Sequence, residues 1–336
     1  MKQSEPRVTR ADVARESGLS VAVVSYVVNN GPRPVAAKSR QRVLDAIERT
    51  GYRPNGVARA LAAGSTFTFG LIVPDIANEF FAELAGAVEQ VARRAGRTVL
   101  MANSEGDRVT EQDLLETFLQ RQIDGIIIVS EAPDEAAELF HASKTRAIYL
   151  GHAPKESPSV SIAVDNEAGA FDAAQHLLGH GYEQLAMVGG PVGDEVADAR
   201  LAGWKRAIEG AGLGAGPVIN GPFTIEGGYR AGLGLLDEPV RPRAIFAASD
   251  RQAIGLLRAA ADQNLSVPAD LAIVTFDGSA ASQYAVPSLT TIAQPISAMA
   301  ELAVTELMNS AAEAAHHVLP VDLVVRRSCG CTTSEH

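Results

Sequence analysis

Four aspartates stand where a parallel sheet would put them to chemical use. Asp75, Asp165, Asp250 and Asp277 each follow, by one or two residues, a short apolar run. The same positions past the other runs collect Asn103, Ser130, Gly151, Asn166, Gly189-Gly190, Ser249 and Gly278. In open α/β sheets, ligands sit at the carboxyl ends of the strands. The set is polar and acidic, as a ligand site at strand ends would be. For each acid the competing reading is a helix N-cap or a contact between lobes.

Other residue types in the chain offer less. His176 and His180 lie four apart on a predicted helix, with neither the glutamate nor the third ligand of a helical zinc site. His316-His317 has no partner, and Cys329-Gly330-Cys331 puts two thiols on a C-terminal tail, a weak site for a soft metal. No metal and no cofactor is expected. Residues 210–216 are glycine-rich but follow a helix, whereas a dinucleotide fingerprint follows a strand. No Gly-x-Ser-x-Gly nucleophile elbow stands out, and no enzyme is expected.

The elements that must position these residues alternate. Apolar, β-rich runs fall at 67–73, 98–101, 125–129, 147–150, 160–164, 185–188, 244–248 and 271–276. Helical patterns at 81–95, 111–121, 168–178, 199–210 and 252–263 separate most of them. Such alternation predicts parallel, doubly wound α/β sheets. About 270 residues are too many for one comfortable sheet, which predicts two lobes. The whole chain has 336 residues, 46% hydrophobic and 21% charged, as a globular protein does. No apolar run is long enough to span a membrane, and the first residues lack a secretory h-region. With two cysteines, both near the end, a cytoplasmic protein is expected.

Charge separates the first sixty residues from the rest. Residues 1–64 carry eleven Lys/Arg against five Asp/Glu, net +6, while the remainder carries −17. A small basic head on an acidic body is the balance of a DNA-binding module joined to something else. Thr9-Arg10-Ala11-Asp12 fits a capping box opening a helix over 10–17, and Gly18 closes it. Ser20 can cap a second helix over 21–29. A third, over 38–50, would turn Val43, Leu44 and Ile47 inward and end at Gly51. Two short helices across a glycine turn form a helix-turn-helix, whose second helix enters the major groove. Val21 and Ala22, then Ser25 and Tyr26 one turn on, would face the bases.

These residues carry a resemblance. Val8-Thr9-Arg10-Ala11-Asp12-Val13-Ala14, Gly18-Leu19-Ser20, Val24-Ser25 and Val28-Asn29, in that order, resemble the N-terminal signature of the LacI/GalR family of bacterial transcriptional regulators. Gly51-Tyr52-Arg53-Pro54-Asn55 and Ala58-Arg59-Ala60-Leu61 look like that family's hinge, and the match runs through nearly the whole chain. The resemblance implies an all-α head at 1–53, a hinge helix and linker at 54–65, and a periplasmic-binding-protein-like core at 66–336. The core would split into one lobe of about 66–164 with 294–322 and a second of about 165–293 with 323–331. A DNA-contacting set of Thr9, Ser20, Val21, Ala22, Ser25, Tyr26, Asn29, Asn55, Arg59 and Leu61 is implied. Leu61 would be the wedge in the minor groove. The implied effector set is Asp75, Asn78, Phe80, Asp165, Arg200, Ser249, Phe276 and Asp277.

Four residues depart from the family pattern. Tyr26 stands where an arginine is usual, Val23 where a threonine is, Ala36 where a serine often caps the third helix, and Glu79 where proline is common. The expectation is a homodimeric repressor on a palindromic double-stranded DNA operator, controlled by a small effector, a carbohydrate, with no membrane contact. A sugar-binding receptor and a purine-responsive regulator of the same fold are the alternatives.

Overall fold

The structure, a computed structural model, describes residues 8–29, 33–129, 143, 145–151, 159–214, 216–309 and 314–331. Ser130 and Ala215 lie outside them. The chain divides into two units, Met1–Thr66 and Phe67–His336. Among the described residues no helix is long and apolar enough to cross a membrane.

The first unit holds α1 (Arg10–Ser17), α2 (Val21–Val28), α3 (Ala37–Thr50) and α4 (Gly56–Ala63). Asp12 accepts the Thr9 N–H at 2.9 Å and the Thr9 hydroxyl at 2.7 Å, closing the capping box. Gly18 takes the left-handed conformation at φ 64°, and the chain turns directly into α2. Ser20 caps α2 by accepting the Val23 N–H at 3.3 Å. Val13, Ala14, Val24, Val27, Val43, Ala46 and Tyr52 form the core. Leu44, expected inward, is 44% exposed. At 100° per residue, 43, 46 and 47 share a face while 44 turns off it, so Ala46 takes the inward place.

The described residues of the second unit form two sheets. The first is built from β1 (Thr68–Val73), β2 (Thr98–Asn103), β3 (Gly125–Ile128), β4 (Arg146–Leu150), β5 (Val160–Val164) and β11 (His316–Leu319). The second is built from β6 (Leu185–Gly189), β7 (Val218–Asn220), β8 (Ala244–Ala247), β9 (Ala272–Asp277), β10 (Thr290–Ala293) and β12 (Asp322–Val324). Strand orders are β11-β5-β4-β3-β1-β2 and β12-β10-β9-β8-β6-β7. All pairs are parallel except β10 with β12. Central strands such as β3 and β8 are buried along their whole length, as strands covered on both faces must be.

Helices α5 (Glu79–Arg94), α6 (Arg108–Gln120) and α12 (Ile296–Met308) pack on the first sheet. Helices α7 (Asn166–Gly179), α8 (Glu195–Gly210), α9 (Ile225–Leu236) and α10 (Asp250–Asp262) serve the second, and α11 (Ala280–Tyr284) is one short turn. The chain passes between the sheets after β5, after β10 and after β11.

Helix α9 escapes a reading by pattern. Its four glycines lower helix propensity. Those glycines serve a close approach of α9 to α10. A Cβ on Gly228 would run into the Gln252 carbonyl, and one on Gly255 into the Ile225 carbonyl. Strands β7, β10, β11 and β12 are three or four residues long, too short to show a period.

Candidate functional site

Arg200 organises the carboxyl ends of the second sheet. It sits on α8, only 4% exposed, with its guanidinium 3.7 Å above the Phe276 ring. Its Nε donates to Asn166 Oδ1 at 2.9 Å, and its Nη1 donates to the Ala248 carbonyl at 2.5 Å and to Asp277 Oδ1 at 3.4 Å. Phe223 lies on a second side, 5.8 Å from the guanidinium carbon. Asp277 also accepts from Gln294 Nε2 at 3.0 Å and from the Asp250 N–H at 3.3 Å. Its backbone has φ 117°, a strained conformation for any residue but glycine, and one that clusters at functional sites. The next residue, Gly278, has no room for a Cβ, which would lie 2.6 Å from Ala293 Cα.

Asp250 lies behind this group. It accepts from the Ser279 N–H at 2.7 Å, the Ser279 hydroxyl at 2.8 Å and the Thr291 hydroxyl at 3.1 Å. Burial, then the negative charge of Asp277, pushes its carboxyl up to about 7. Burial also raises Asp277, and the adjacent Arg200 opposes that rise. The unfolded chain releases the Asp250 proton near its ordinary value, and the folded chain holds it to neutrality. Stability therefore falls as pH rises through that window and levels off above it. Asp250→Asn should remove this fall. Urea unfolding at pH 5 and pH 8 should show the parent losing about 2 kcal/mol relative to the variant. Parallel pH profiles would place an ordinary carboxylate there.

The remaining effector candidates have mostly structural partners. Asn78 caps α5 through the Phe80 N–H at 3.1 Å, and Asp165 caps α7 through the Ala168 N–H at 2.9 Å while exposed. Ser249 caps α10 by accepting the Gln252 N–H at 3.3 Å. Asp75 accepts from Arg251 Nη1 at 2.6 Å, an ion pair joining the end of β1 to α10 across the two sheets. Phe80 is buried edge-on to Phe81. Thus Arg200, Phe276 and Asp277 are brought together, while Asn78, Asp165 and Ser249 serve as helix caps and Asp75 in a contact between the two sheets. Asn166, Phe223, Asp250, Arg251 and Gln294 belong to the same surroundings. Asn166 and Asp250 are strand-end residues that the implied effector set leaves out; Gln294 follows a strand the pattern did not reveal.

The first unit presents a different surface. Burial of Val24 and Val27 turns the opposite face of α2 outward. Ser20, Ala22 and Asn29 are exposed, Val21 is 48% exposed, and Ser25 and Tyr26 are half-buried. Arg10 Nη1 and Asn29 Nδ2 both donate to the Ser25 hydroxyl, at 3.5 and 3.2 Å. Thr9 is exposed, with its hydroxyl turned to Asp12. In α4, Arg59 is exposed and Leu61 is 87% exposed, while Asn55 precedes the helix and its carbonyl accepts the Arg59 N–H at 3.0 Å.

Comparison with known proteins identifies this arrangement. Residues 9–55 match the model of bacterial regulatory proteins of the lacI family, and residues 174–329 match a periplasmic binding protein-like domain. Catabolite control protein A of Priestia megaterium is 38% identical over 309 residues, covering 90% of this chain and 93% of its own. The chain belongs to the lacI family. The ribose operon repressor of Escherichia coli K12 is another relative of this lacI-family chain, 32% identical over 90% of it and 92% of the repressor. The lac repressor dimer bound to operator and the anti-inducer ONPF has the same fold, with TM-score 0.85 and 28% identity over 96% of this chain and 99% of that one. The protein is a DNA-binding transcriptional regulator, not an enzyme, with a helix-turn-helix head and a periplasmic-binding-protein-like core.

The departures from the lacI-family pattern have local consequences. Glu79 is the first residue of α5, a position that suits proline because its N–H has no intrahelical partner. Here Glu79 adds an acid 4.0 Å from Arg251 instead. Ala36 leaves α3 without a side-chain cap. Tyr26 offers one hydroxyl and a ring where arginine would offer a bidentate fork for guanine. Tyr26→Arg should change the half-site recovered from random duplexes, toward guanine at one position. Recovery of the same site by both proteins would remove Tyr26 from the base readers.

Proposed function

We propose that this regulator is a cytoplasmic repressor that binds a palindromic operator as a homodimer and responds to a small carbohydrate held between the lobes of its core. The buried Arg200–Asp277–Phe276 group at the strand carboxyl ends carries the carbohydrate reading. A guanidinium and a carboxylate supply directed hydrogen bonds to hydroxyls, and aromatic rings cover the apolar face of a sugar. The ion pair of Arg251 with Asp75 and the hydrogen bond from the Ala280 N–H to Glu83 at 2.7 Å tie the lobes on the same side. A ligand that favours one lobe arrangement shifts the population of operator-competent dimers.

On the DNA side, the outward face of α2 would read base edges, with Val21 and Ala22 against thymine methyls. Arg59 and Asn55 would meet the backbone near the hinge, and Thr9 and Ser20 would sit at phosphates. Edge strand β2 exposes Leu100 and Met101, apolar surface that a second copy would cover. The solved lac repressor above is a dimer on operator, and a lacI-family regulator from Enterococcus faecium, 28% identical with TM-score 0.71 over 78% of this chain and 98% of that one, was solved with bound ribose.

The test is thermal unfolding against sugars, sugar phosphates, nucleosides and purine bases. A true effector at a hundred times its dissociation constant adds about 2.7 kcal/mol. Stabilisation by a sugar, lost in Arg200 and Asp277 variants, is expected. Stabilisation by purines alone would overturn the carbohydrate assignment.

A further inference from the structure

His176, His180, Cys329 and Cys331 meet at the far end of the second sheet from Arg200. Helix α7 ends there, and His180 is its C-cap, so the two histidines, four residues apart, share one face. Their rings meet edge to face with centroids 4.9 Å apart. The chain beyond β12 comes back along the same end. Ser328 is pinned there: its hydroxyl donates to the Ile273 carbonyl at 2.6 Å and accepts the Thr290 N–H at 2.8 Å. Cys329 follows and is fully buried rather than carried on a tail, and Cys331 is half-buried. Gly330 between them has φ 95°, and a Cβ there would lie 2.9 Å from Tyr182 Oη. A side chain at that position would be both strained and crowded, so the tight Cys-Gly-Cys turn needs its glycine.

The donor atoms converge. Cys331 Sγ is 3.1 Å from His180 Nε2 and 3.7 Å from His176 Nε2. One ligand atom from each of the four residues lies within 4.8 Å of the others. In a tetrahedral zinc site, bond lengths of about 2.3 Å to sulfur and about 2.0 Å to nitrogen put ligand atoms about 3.3–3.8 Å apart. Gathering the four atoms requires small inward movements, and the less buried pair, His180 and Cys331, can make them. Two thiolates and two imidazoles are a donor set for zinc or another thiophilic divalent ion. The carbonyl end of α7 adds a favourable dipole for a cation.

We propose that His176, His180, Cys329 and Cys331 form a closed Cys2His2 site for a thiophilic divalent metal, zinc in the first instance. With four protein ligands no position is left for substrate, so the ion is structural. It clips the chain after β12 to the end of α7, away from the effector group, and the proposal stands whatever the effector is.

Cobalt(II) is the probe, added to full-length protein that has been reduced and stripped of metal. The expected result is saturation at one equivalent, with the intense visible bands of tetrahedral cobalt, thiolate-to-cobalt charge transfer, and bleaching by zinc. Cys331→Ser and His180→Gln should each weaken cobalt binding by at least about 100-fold, since losing even an outer partner of a ligand costs up to about that factor. Both positions are partly exposed, so the stripped variants should keep the parent's circular dichroism and melting temperature. An octahedral spectrum, failure to saturate at one equivalent, or unchanged affinity in both folded variants would overturn the site. So would a parent protein that bound no cobalt because Cys329 and Cys331 had closed into a disulfide that reductant could not keep open.

Discussion

Replacing Arg200 with methionine should abolish the response to effector and lower the stability of the core by about 3–5 kcal/mol, the cost of leaving a buried charge without its partner. The guanidinium is the cation beside Asp277, and it also supplies donors to Asn166 Oδ1 and the Ala248 carbonyl. Methionine fills much of the space over Phe276 but satisfies none of these acceptors. Burial lowers the proton affinity of Arg200, and the charge of Asp277 opposes that. Arg200→Lys restores the charge without the planar fork, and should recover part of the stability and little of the effector response. Urea unfolding measures the first effect and the ligand-induced melting shift the second. Wild-type stability with an intact shift would show that Arg200 neither holds the cluster nor touches the ligand.

The second large effect belongs to the hinge. Leu61 is the most exposed large apolar residue among the described residues of the first unit. It stands on an eight-residue helix that would be marginal in isolation. An exposed leucine on such a helix suits a wedge between base steps. Leu61→Ala should weaken operator binding about 100-fold, about 2.7 kcal/mol, while leaving non-specific binding within about twofold. Equal loss on operator and on random duplex would show a general contact rather than a wedge.

Much of this molecule was legible before its structure. The head announces itself through spaced punctuation: Thr9 with Asp12, Gly18, Ser20 and Gly51 set the helix ends where they occur. The strand ends marked Asp277 and Asp75 from position alone. What position could not separate was ligand residue from cap, because the same geometry serves both. Asp165 and Ser249 stand just past their strands and also open α7 and α10. Glycines hid α9, since a pattern records their low propensity and not the close helix contact they allow. The histidine–cysteine group was invisible for another reason. His180 and Cys331 lie 151 residues apart, so each pair lacked partners until the fold joined them.

The most direct test of the central claim is equilibrium binding of the full-length protein to a palindromic duplex recovered by selection, with and without the stabilising sugar, across a range of salt. Binding at least about a thousandfold tighter than to a scrambled duplex is expected. Affinity should fall steeply with salt and change when the sugar is added. Equal affinity for the scrambled duplex, or operator binding indifferent to every sugar that stabilises the core, would contradict that claim.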